Sequence, residues 1–219
     1  MKDIKVAILG AGTVGTGVYK LINKQKDEMI HKIGGNMEIA KILVRNKSKA
    51  RDGIDNSLLT DDFNEILNDD SINIVVEVMG GIEPAKTYIE AALRKGKHIV
   101  TANKDLMASQ GHELMDIAKE NKCDILFEAA VAGAIPIIRP LKQCLAGNYI
   151  SEILGIVNGT TNFILTKMTK DGMEFDDALK MAQDLGYAEA DPTADVEGYD
   201  AGRKMAIMAS IAFNTRVTF

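Results

Sequence analysis

The 219-residue sequence has few of the residues on which several specialised protein classes depend. It contains no tryptophan, and aromatic residues make up only 5% of the chain. Its two cysteines, Cys123 and Cys144, are too few and too badly spaced for a disulfide scaffold or a zinc site, so we expect both to serve in packing. His31, His98 and His112 show no metal-ligand spacing, which argues against a histidine metal centre.

Long hydrophobic runs and clusters of positive charge are also absent. No apolar segment approaches the length that spans a bilayer, and glycines and charges interrupt the N-terminal segment where a signal peptide would be continuous. The net charge of −5, without a basic run that alternates with aromatic residues, argues against nucleic-acid binding. We therefore expect a cytoplasmic protein that binds neither nucleic acid nor a membrane. Its 46% apolar and 26% charged residues are ordinary for a soluble globular chain.

The first pattern that is present is an apolar segment followed by a glycine-rich one. Residues 4–9 read IKVAIL, which is typical of a strand buried on both faces of a parallel sheet, and residues 10–15 read GAGTVG. In such a turn the first glycine makes a tight bend, the second lets the backbone approach a pyrophosphate, and the third lets the next helix pack closely. The helix predicted over residues 13–26 would point its first N–H groups at the phosphates. The pattern predicts a dinucleotide site that includes Gly10, Gly12, Thr13, Val14 and Gly15.

The end of the second predicted strand, residues 37–44, suggests which dinucleotide binds. An Asp or Glu usually holds the ribose 2′-hydroxyl at this point, but this chain has Arg45. An arginine suits a 2′-phosphate, so NADP is favoured and NAD remains possible. The alternative is that Arg45, Lys47 and Lys49 form only a solvated basic turn.

Two later strand ends add candidates. The predicted strand over residues 74–78 is followed by Met79, Gly80 and Gly81, and glycines at a strand's carboxyl end fit the crevice where ligands bind in an open α/β sheet. The strand over residues 97–100 ends in TANK, which predicts that Lys104 faces the nicotinamide end of the cofactor. An N-cap role for Asn103 also explains this tetrad.

The alternation of strands and helices predicts an α/β fold with a Rossmann-type doubly wound parallel sheet over residues 1–147. Beyond it, residues 149–157 are predicted to form a strand and two helices follow, near 163–170 and 175–185. We therefore predict a second, smaller α+β domain over residues 148–219, with the boundary near 146–149. Near the end of the first domain, residues 128–136 are mostly small, which suits either close packing or a cation site built from main-chain carbonyls.

The densest chemical signal is the segment 186–204, GYAEADPTADVEGYDAGRK, in which five acids converge on an apolar helix. In that helix Asp200 and Lys204 share one face with Ile207 and Ile211. Because the face continues as isoleucine, the acid and the lysine lie at the mouth of a buried stripe, where a lysine is a candidate for chemistry. The alternative is an ordinary helix pair worth a few tenths of a kcal/mol.

Together these residues resemble homoserine dehydrogenase. The long pattern of that family has an alanine, three further residues, a glycine, a D-P-x-x-D element and then G-x-D-x-x-x-K. It is matched by Ala182, Gly186, Asp191, Pro192, Asp195, Gly198, Asp200 and Lys204. GAGTVG, TANK at 101–104 and NGTTN at 158–162 resemble further family segments in the expected order, so the resemblance covers the whole chain.

The resemblance implies an NAD(P)-dependent oxidoreductase that interconverts L-aspartate semialdehyde and L-homoserine in threonine and methionine biosynthesis. It implies that Lys204 gives a proton to the carbonyl oxygen and that Lys104 lies where cofactor and substrate meet. It further implies substrate-binding roles for Glu189, Asp195 and Asp200, and a cofactor contact at Gly186.

The resemblance also implies a sodium ion held by the main-chain carbonyls of Glu128, Val131, Gly133 and Ile135, and a homodimer formed through the second domain. Family members continue well beyond Phe219, so we expect the chain to be the N-terminal part of a longer protein, with an incomplete second domain and uncertain activity of its own.

Two other functions fit part of the pattern. Another small amino-acid dehydrogenase on the same scaffold would explain the glycine-rich turn, but the segment from Asp195 to Lys204 argues against it. A module that senses NAD(P) without turnover would leave the cluster of Glu189, Asp200 and Lys204 unexplained.

Overall fold

The computed structural model describes residues 3–219, which form two compact units, up to Ala130 and from Val131. The first unit contains a six-stranded sheet: β1 (Ile4–Leu9), β2 (Met37–Leu43), β3 (Leu59–Thr60), β4 (Ile72–Glu77), β5 (His98–Thr101) and β6 (Ile125–Leu126). The boundary predicted between residues 147 and 148 lies later in the chain and stays a prediction. Across residues 3–219 no helix combines the length and apolar character needed to cross a membrane.

The sheet is entirely parallel, with the strand order β3-β2-β1-β4-β5-β6. This order confirms the predicted doubly wound α/β fold. The chain reverses direction across the sheet between β1 and β4, and in such sheets ligands bind outside the carboxyl ends of the strands at this point. The segments after β1 and β4 carry the glycines at positions 10, 12, 80 and 81.

Helices connect the strands of the first unit. They are α1 (Thr13–Lys24), α2 (Lys26–Ile33), α3 (Asn64–Leu67), α4 (Ala85–Arg94) and α5 (Lys104–Glu120). The sequence predicted one helix over residues 13–26, whereas the structure ends α1 at Gln25 and begins the separate helix α2 there. Helix α2 was not predicted, because its residues show no clear apolar stripe and none of them is buried.

The core of the first unit explains why β1 and β2 are so apolar. Val6 and Ile8 of β1 pack with Ile39 and Ile42 of β2 and with Ile22 of α1. Residues of β1 alternate between the two faces of the sheet, and Ala7, Ile8 and Leu9 are all fully buried. A central parallel strand covered on both sides needs such a continuous apolar run.

The second unit is helical in the described structure. It contains a short π-helix over Pro140–Cys144, followed by α6 (Gly159–Asp171), α7 (Phe175–Asp184), α8 (Thr193–Val196) and α9 (Tyr199–Ala212). A small core joins α6 and α7, in which Ile164 packs on Ala178 and Ala182.

The strand predicted over residues 149–157 is wrong: the structure gives these residues no regular secondary structure. Three of their large apolar side chains are exposed: Tyr149 at 94%, Leu154 at 83% and Ile156 at 77% of full exposure. A strand is stabilised by hydrogen bonds to a neighbouring strand, and the second unit, as described from residue 131 to 219, contains no strand to pair with. The apolar pattern of residues 149–157 is typical of a strand, but residues 131–219 offer no neighbouring strand to which it could bond.

Candidate active site

The glycine-rich turn after β1 has the geometry of a phosphate cradle. Gly10 has φ +108°, and a Cβ there would lie 2.9 Å from the Val78 carbonyl oxygen. A Cβ at Gly15 would lie 2.0 Å from the Gly10 carbonyl oxygen, so only glycine lets α1 pack this closely on the turn. A Cβ at Gly12 would meet nothing within 4 Å, which leaves open space beside the backbone at the N-terminus of α1.

Thr13 and Val14 form the first turn of α1 and are exposed, Val14 at 54%. The first N–H groups of a helix have no partner within the helix and attract anions. The open backbone at Gly12 and the unobstructed start of a twelve-residue helix fit the pyrophosphate of a dinucleotide. All five predicted residues of this turn therefore lie together.

Arg45 lies just beyond β2 and is exposed. Its basic neighbour Lys47 is already paired, because the Lys47 ammonium lies 2.9 Å from the Asp61 carboxylate. This hydrogen bond raises the pKa of Lys47 and lowers the pKa of Asp61. Arg45 is thus the stronger candidate of the two for a 2′-phosphate.

A buried polar network joins the ends of β4 and β5. Glu77 is fully buried, and one of its carboxylate oxygens accepts a hydrogen bond from the Thr101 hydroxyl at 2.7 Å. Its other oxygen accepts the Met79 N–H at 2.8 Å. Glu77 was not among the predicted site residues, although an acid that ends an otherwise apolar strand just before two glycines is a signal in the sequence.

The same network fixes the start of α5. The Asn103 N–H donates to the Thr101 hydroxyl oxygen at 3.0 Å, and the Asn103 side-chain amide donates to the Gly81 carbonyl at 2.6 Å. The Asn103 side-chain oxygen accepts the Leu106 N–H at 3.1 Å, so Asn103 is the N-cap of α5. The cap and a functional role for Lys104 are compatible, because Lys104 is the first residue of that helix and is half-buried.

Gly80 needs its backbone conformation, since its φ is +75°, and a Cβ there would meet nothing within 4 Å. It is exposed at the carboxyl end of β4, beside the turn that Glu77 and Asn103 hold. This position in the crevice of the sheet fits a cofactor contact.

The predicted sodium ligands lie in an irregular segment after β6. Glu128 begins a short 3₁₀ helix, and the positive-φ residues Ala132 and Ala134 alternate with Val131, Gly133 and Ile135. Within this turn the Ile135 N–H donates to the Ala132 carbonyl, which is not a predicted ligand. In the described part of the chain no three His, Cys, Asp or Glu side chains are grouped to hold a metal, so a cation here would depend on main-chain oxygens.

In the second unit, the Lys204 ammonium is held from two sides. It donates to the Asp200 carboxylate at 2.5 Å and to the Val157 carbonyl at 2.7 Å. The side chain of Asp200 is only 5% exposed and that of Lys204 16%. This burial distinguishes the pair from ordinary i,i+4 pairs such as Lys180 and Asp184, whose side chains are 73% and 65% exposed.

Asp195 joins the same cluster through a residue that sequence reasoning did not select. The side-chain amide of Asn158 donates to Asp195 at 2.7 Å and to Asp200 at 2.8 Å. Asn158 precedes α6 and its side-chain oxygen caps that helix. The sequence shows a cap-rich turn at this point, but nothing in it indicates that the cap also touches two acids far along the chain.

The remaining predicted residues of the second unit, Gly186 and Glu189, lie in the segment that follows α7. Gly186 ends α7 with φ +77°, and its N–H donates to the Gln183 carbonyl, which is typical of a glycine that stops a helix. Glu189 is exposed. Asp191 accepts hydrogen bonds from the Thr193 hydroxyl and backbone N–H, and these lower the pKa of its carboxyl group.

Comparison with known families covers nearly all of the chain. The family model described as "Homoserine dehydrogenase, NAD binding domain" matches residues 10–128, and the model described as "Homoserine dehydrogenase" matches residues 136–219. Homoserine dehydrogenase from Bacillus subtilis is 52% identical over 99% of this chain and 50% of its own length. The enzyme from Corynebacterium glutamicum is 53% identical over 98% of this chain and 48% of its own length.

Solved structures agree with these relatives. A homoserine dehydrogenase from Thiobacillus denitrificans superposes with a TM-score of 0.91 at 45% identity, over 97% of this chain and 49% of that one. A hyperthermophilic archaeal homoserine dehydrogenase in complex with NADPH gives a TM-score of 0.84 at 31% identity, over 98% of this chain and 71% of that one. The chain spans about half the length of the curated relatives it matches.

Proposed function

The chain belongs to the homoserine dehydrogenase family, and from this premise we propose that the protein interconverts L-homoserine and L-aspartate semialdehyde with a nicotinamide cofactor. The observation that carries the proposal is the Lys204 ammonium, half-buried and held by Asp200 and the Val157 carbonyl. A reaction that develops negative charge on a carbonyl oxygen needs a cation or a proton at that oxygen.

The first unit supplies the residues that would hold the cofactor. The backbone at Gly12 and the first turn of α1 would bind the pyrophosphate, while Gly10 and Gly15 keep the turn tight enough to present it. Gly80, with Lys104 at the start of α5, would line the crevice nearer the reacting end, and Gly186 is a further proposed cofactor contact. When bound, the reduced nicotinamide supplies the hydride.

Lys204 would act on the oxygen of the substrate. In aldehyde reduction its ammonium donates a proton to the carbonyl oxygen as that oxygen becomes negative, and in homoserine oxidation the neutral amine takes the proton back. Asp200 keeps the ammonium in one place, because a charge-assisted hydrogen bond at 2.5 Å restricts a flexible lysine side chain. Lys104 would serve where cofactor and substrate meet.

Acidic residues would orient the amino acid. Glu189 is exposed and carries a negative charge suited to the substrate's ammonium group. Asp195 and Asp200 lie on the hydrogen-bonded cluster around Asn158, so they can bind the hydroxyl side of the substrate without moving. Positioning of this kind lowers the entropic cost of reaching the transition state.

Four further features belong to the same proposal. We infer a preference for NADP over NAD from Arg45, and a sodium ion at the carbonyls of Glu128, Val131, Gly133 and Ile135. We also infer a homodimer formed through the domain over residues 148–219. A place in threonine and methionine biosynthesis, in the cytoplasm, is consistent with this reaction.

The proposal is tested by following the nicotinamide absorbance band with the protein expressed at the full length of its relatives. We expect NADP reduction that depends on L-homoserine, with no signal from L-aspartate at the same concentration. Reduction that L-aspartate supports equally well, or cofactor binding without turnover on any of these amino acids, would contradict it.

A further inference from the structure

Asn158 uses every hydrogen-bonding atom of its side chain. Its oxygen accepts the Thr161 N–H and the Thr161 hydroxyl, both at 2.8 Å. Because the Thr161 N–H can meet only an acceptor, it fixes which end of the amide is oxygen and turns the NH₂ group toward Asp195 and Asp200. Asn158 is 8% exposed, so water offers little competition for these bonds.

The pair Val157 and Asn158 contacts both members of the buried ion pair. The Val157 carbonyl accepts from the Lys204 ammonium at 2.7 Å, and the Asn158 amide donates to the Asp200 carboxylate at 2.8 Å. The oxygen of Asp200 that binds Asn158 is the one that binds Lys204. One short backbone segment therefore fixes the acid and the base relative to each other.

Asn158 also offsets the repulsion between the carboxylates of Asp195 and Asp200. Asp195 and Asp200 both reach the same amide nitrogen, so two carboxylates lie close together with one ammonium nearby. An amide NH₂ group stabilises this arrangement because it donates one hydrogen to each acid without adding charge. An aspartate in its place would put a third carboxylate against the first two.

We propose that Asn158 is a positioning residue for the catalytic ammonium: it holds the Asp200 carboxylate so that Lys204 keeps one donor directed at the substrate oxygen. An ammonium has three N–H donors, and within residues 3–219 the Asp200 carboxylate and the Val157 carbonyl accept two of them. The catalytic part of this inference rests on the function proposed above, whereas the geometric part does not.

Two variants separate this role from simple helix capping. Asn158→Ser and Asn158→Asp both keep an oxygen that can cap α6, since Ser and Asp are as good as Asn at that position. Neither keeps an NH₂ group that can donate to Asp200. Ser210→Ala is the control, because it removes a hydroxyl that bonds the Ala206 carbonyl in α9 and the Val217 backbone beyond the helix, and that does not contact the cluster.

The first measurement is turnover at the full length of the relatives. We expect both Asn158 variants to lose about 10- to 100-fold in kcat with the KM for NADP unchanged, since a displacement on the order of 1 Å at a reacting group costs about that much. Ser210→Ala should keep the wild-type rate. Wild-type kcat in both Asn158 variants would overturn the proposal, because a residue that only caps α6 predicts that result.

The second measurement does not depend on turnover. With ¹⁵N-lysine labelling, an ammonium held by Asp200 and Val157 should give a resolved, exchange-protected signal that disappears in Lys204→Ala and weakens in both Asn158 variants. A signal that is missing in the wild type, or unchanged in both variants, would overturn the positioning role. If the variants weaken the signal but the wild type turns over no homoserine, the positioning role stands and the proposed reaction falls.

Discussion

Glu77 and Thr101 are register partners on the neighbouring strands β4 and β5, and the Thr101 hydroxyl donates to the Glu77 carboxylate at 2.7 Å. The carboxylate is fully buried, yet both of its oxygens accept hydrogen bonds. Through Thr101 and Asn103 these bonds reach the Gly81 carbonyl and the first turn of α5. One buried acid therefore fixes the two loops that carry Gly80 and Lys104.

We expect Glu77→Leu to destabilise the first unit and to weaken NADPH binding. Leucine leaves the Met79 N–H and the Thr101 hydroxyl without their acceptor, and each buried unsatisfied group costs about 1–3 kcal/mol. Glu77→Gln keeps one acceptor oxygen and should lose less. Urea unfolding and NADPH fluorescence titration measure the two effects, and a Leu variant with the wild-type unfolding midpoint would refute the structural role of Glu77.

The sequence predicted those features whose contacts join residues close together along the chain, and it missed those whose contacts join distant residues. The turn over residues 10–15 was predictable, because Gly10 and Gly15 are required by atoms of the same turn or of Val78 just after β4, and Gly12 leaves the space that a phosphate needs. Asn103 was also predictable as a cap, since its Leu106 partner is three residues away.

Glu77 and Asn158 were missed for the opposite reason. Glu77 meets Thr101 only because β4 and β5 are neighbours in the sheet, and Asn158 meets Asp200 only after α6 and α9 have packed. The strand predicted over residues 149–157 was wrong for another reason: their alternation is typical of a strand, but a strand also needs a neighbouring strand. Local pattern therefore selected Lys204 and Asp200, whereas the contacts of Asn158 and of the Val157 carbonyl with that pair required the fold.

Two glycines of α1 offer a matched pair for the cofactor turn. We expect Gly15→Ala to lower the free energy of unfolding by about 1–3 kcal/mol and to weaken NADPH binding, because its Cβ would overlap the Gly10 carbonyl. Gly17→Ala should stabilise the protein by roughly 0.5–1 kcal/mol, since a Cβ at Gly17 meets nothing within 4 Å. Thermal unfolding and cofactor titration test both, and equal effects of the two substitutions would remove the close-packing argument.

For cofactor choice, we expect Arg45→Ala to weaken NADPH about 10- to 100-fold and NADH much less. A hydrogen bond to a charged group contributes about 1.5–3 kcal/mol, and only NADPH carries the 2′-phosphate. Lys47→Ala is the comparison, because Asp61 already occupies the Lys47 ammonium, and it should change the NADPH to NADH ratio less. Dissociation constants for both cofactors test this prediction. If Arg45→Ala leaves the ratio of the NADPH and NADH dissociation constants unchanged, Arg45 does not contact the 2′-phosphate.

The last prediction concerns Lys204, compared with a lysine in an exposed pair of the same spacing. At the full length of the relatives, Lys204→Ala should abolish homoserine oxidation, because it removes the group that we propose exchanges a proton with the substrate oxygen. NADP binding should hardly change, since the glycine-rich turn belongs to the other compact unit. Lys180→Ala removes an exposed lysine paired with Asp184 and should keep both activity and stability within experimental error. Steady-state kinetics with cofactor titration separate the two variants, and turnover retained by Lys204→Ala would show that another group supplies the proton.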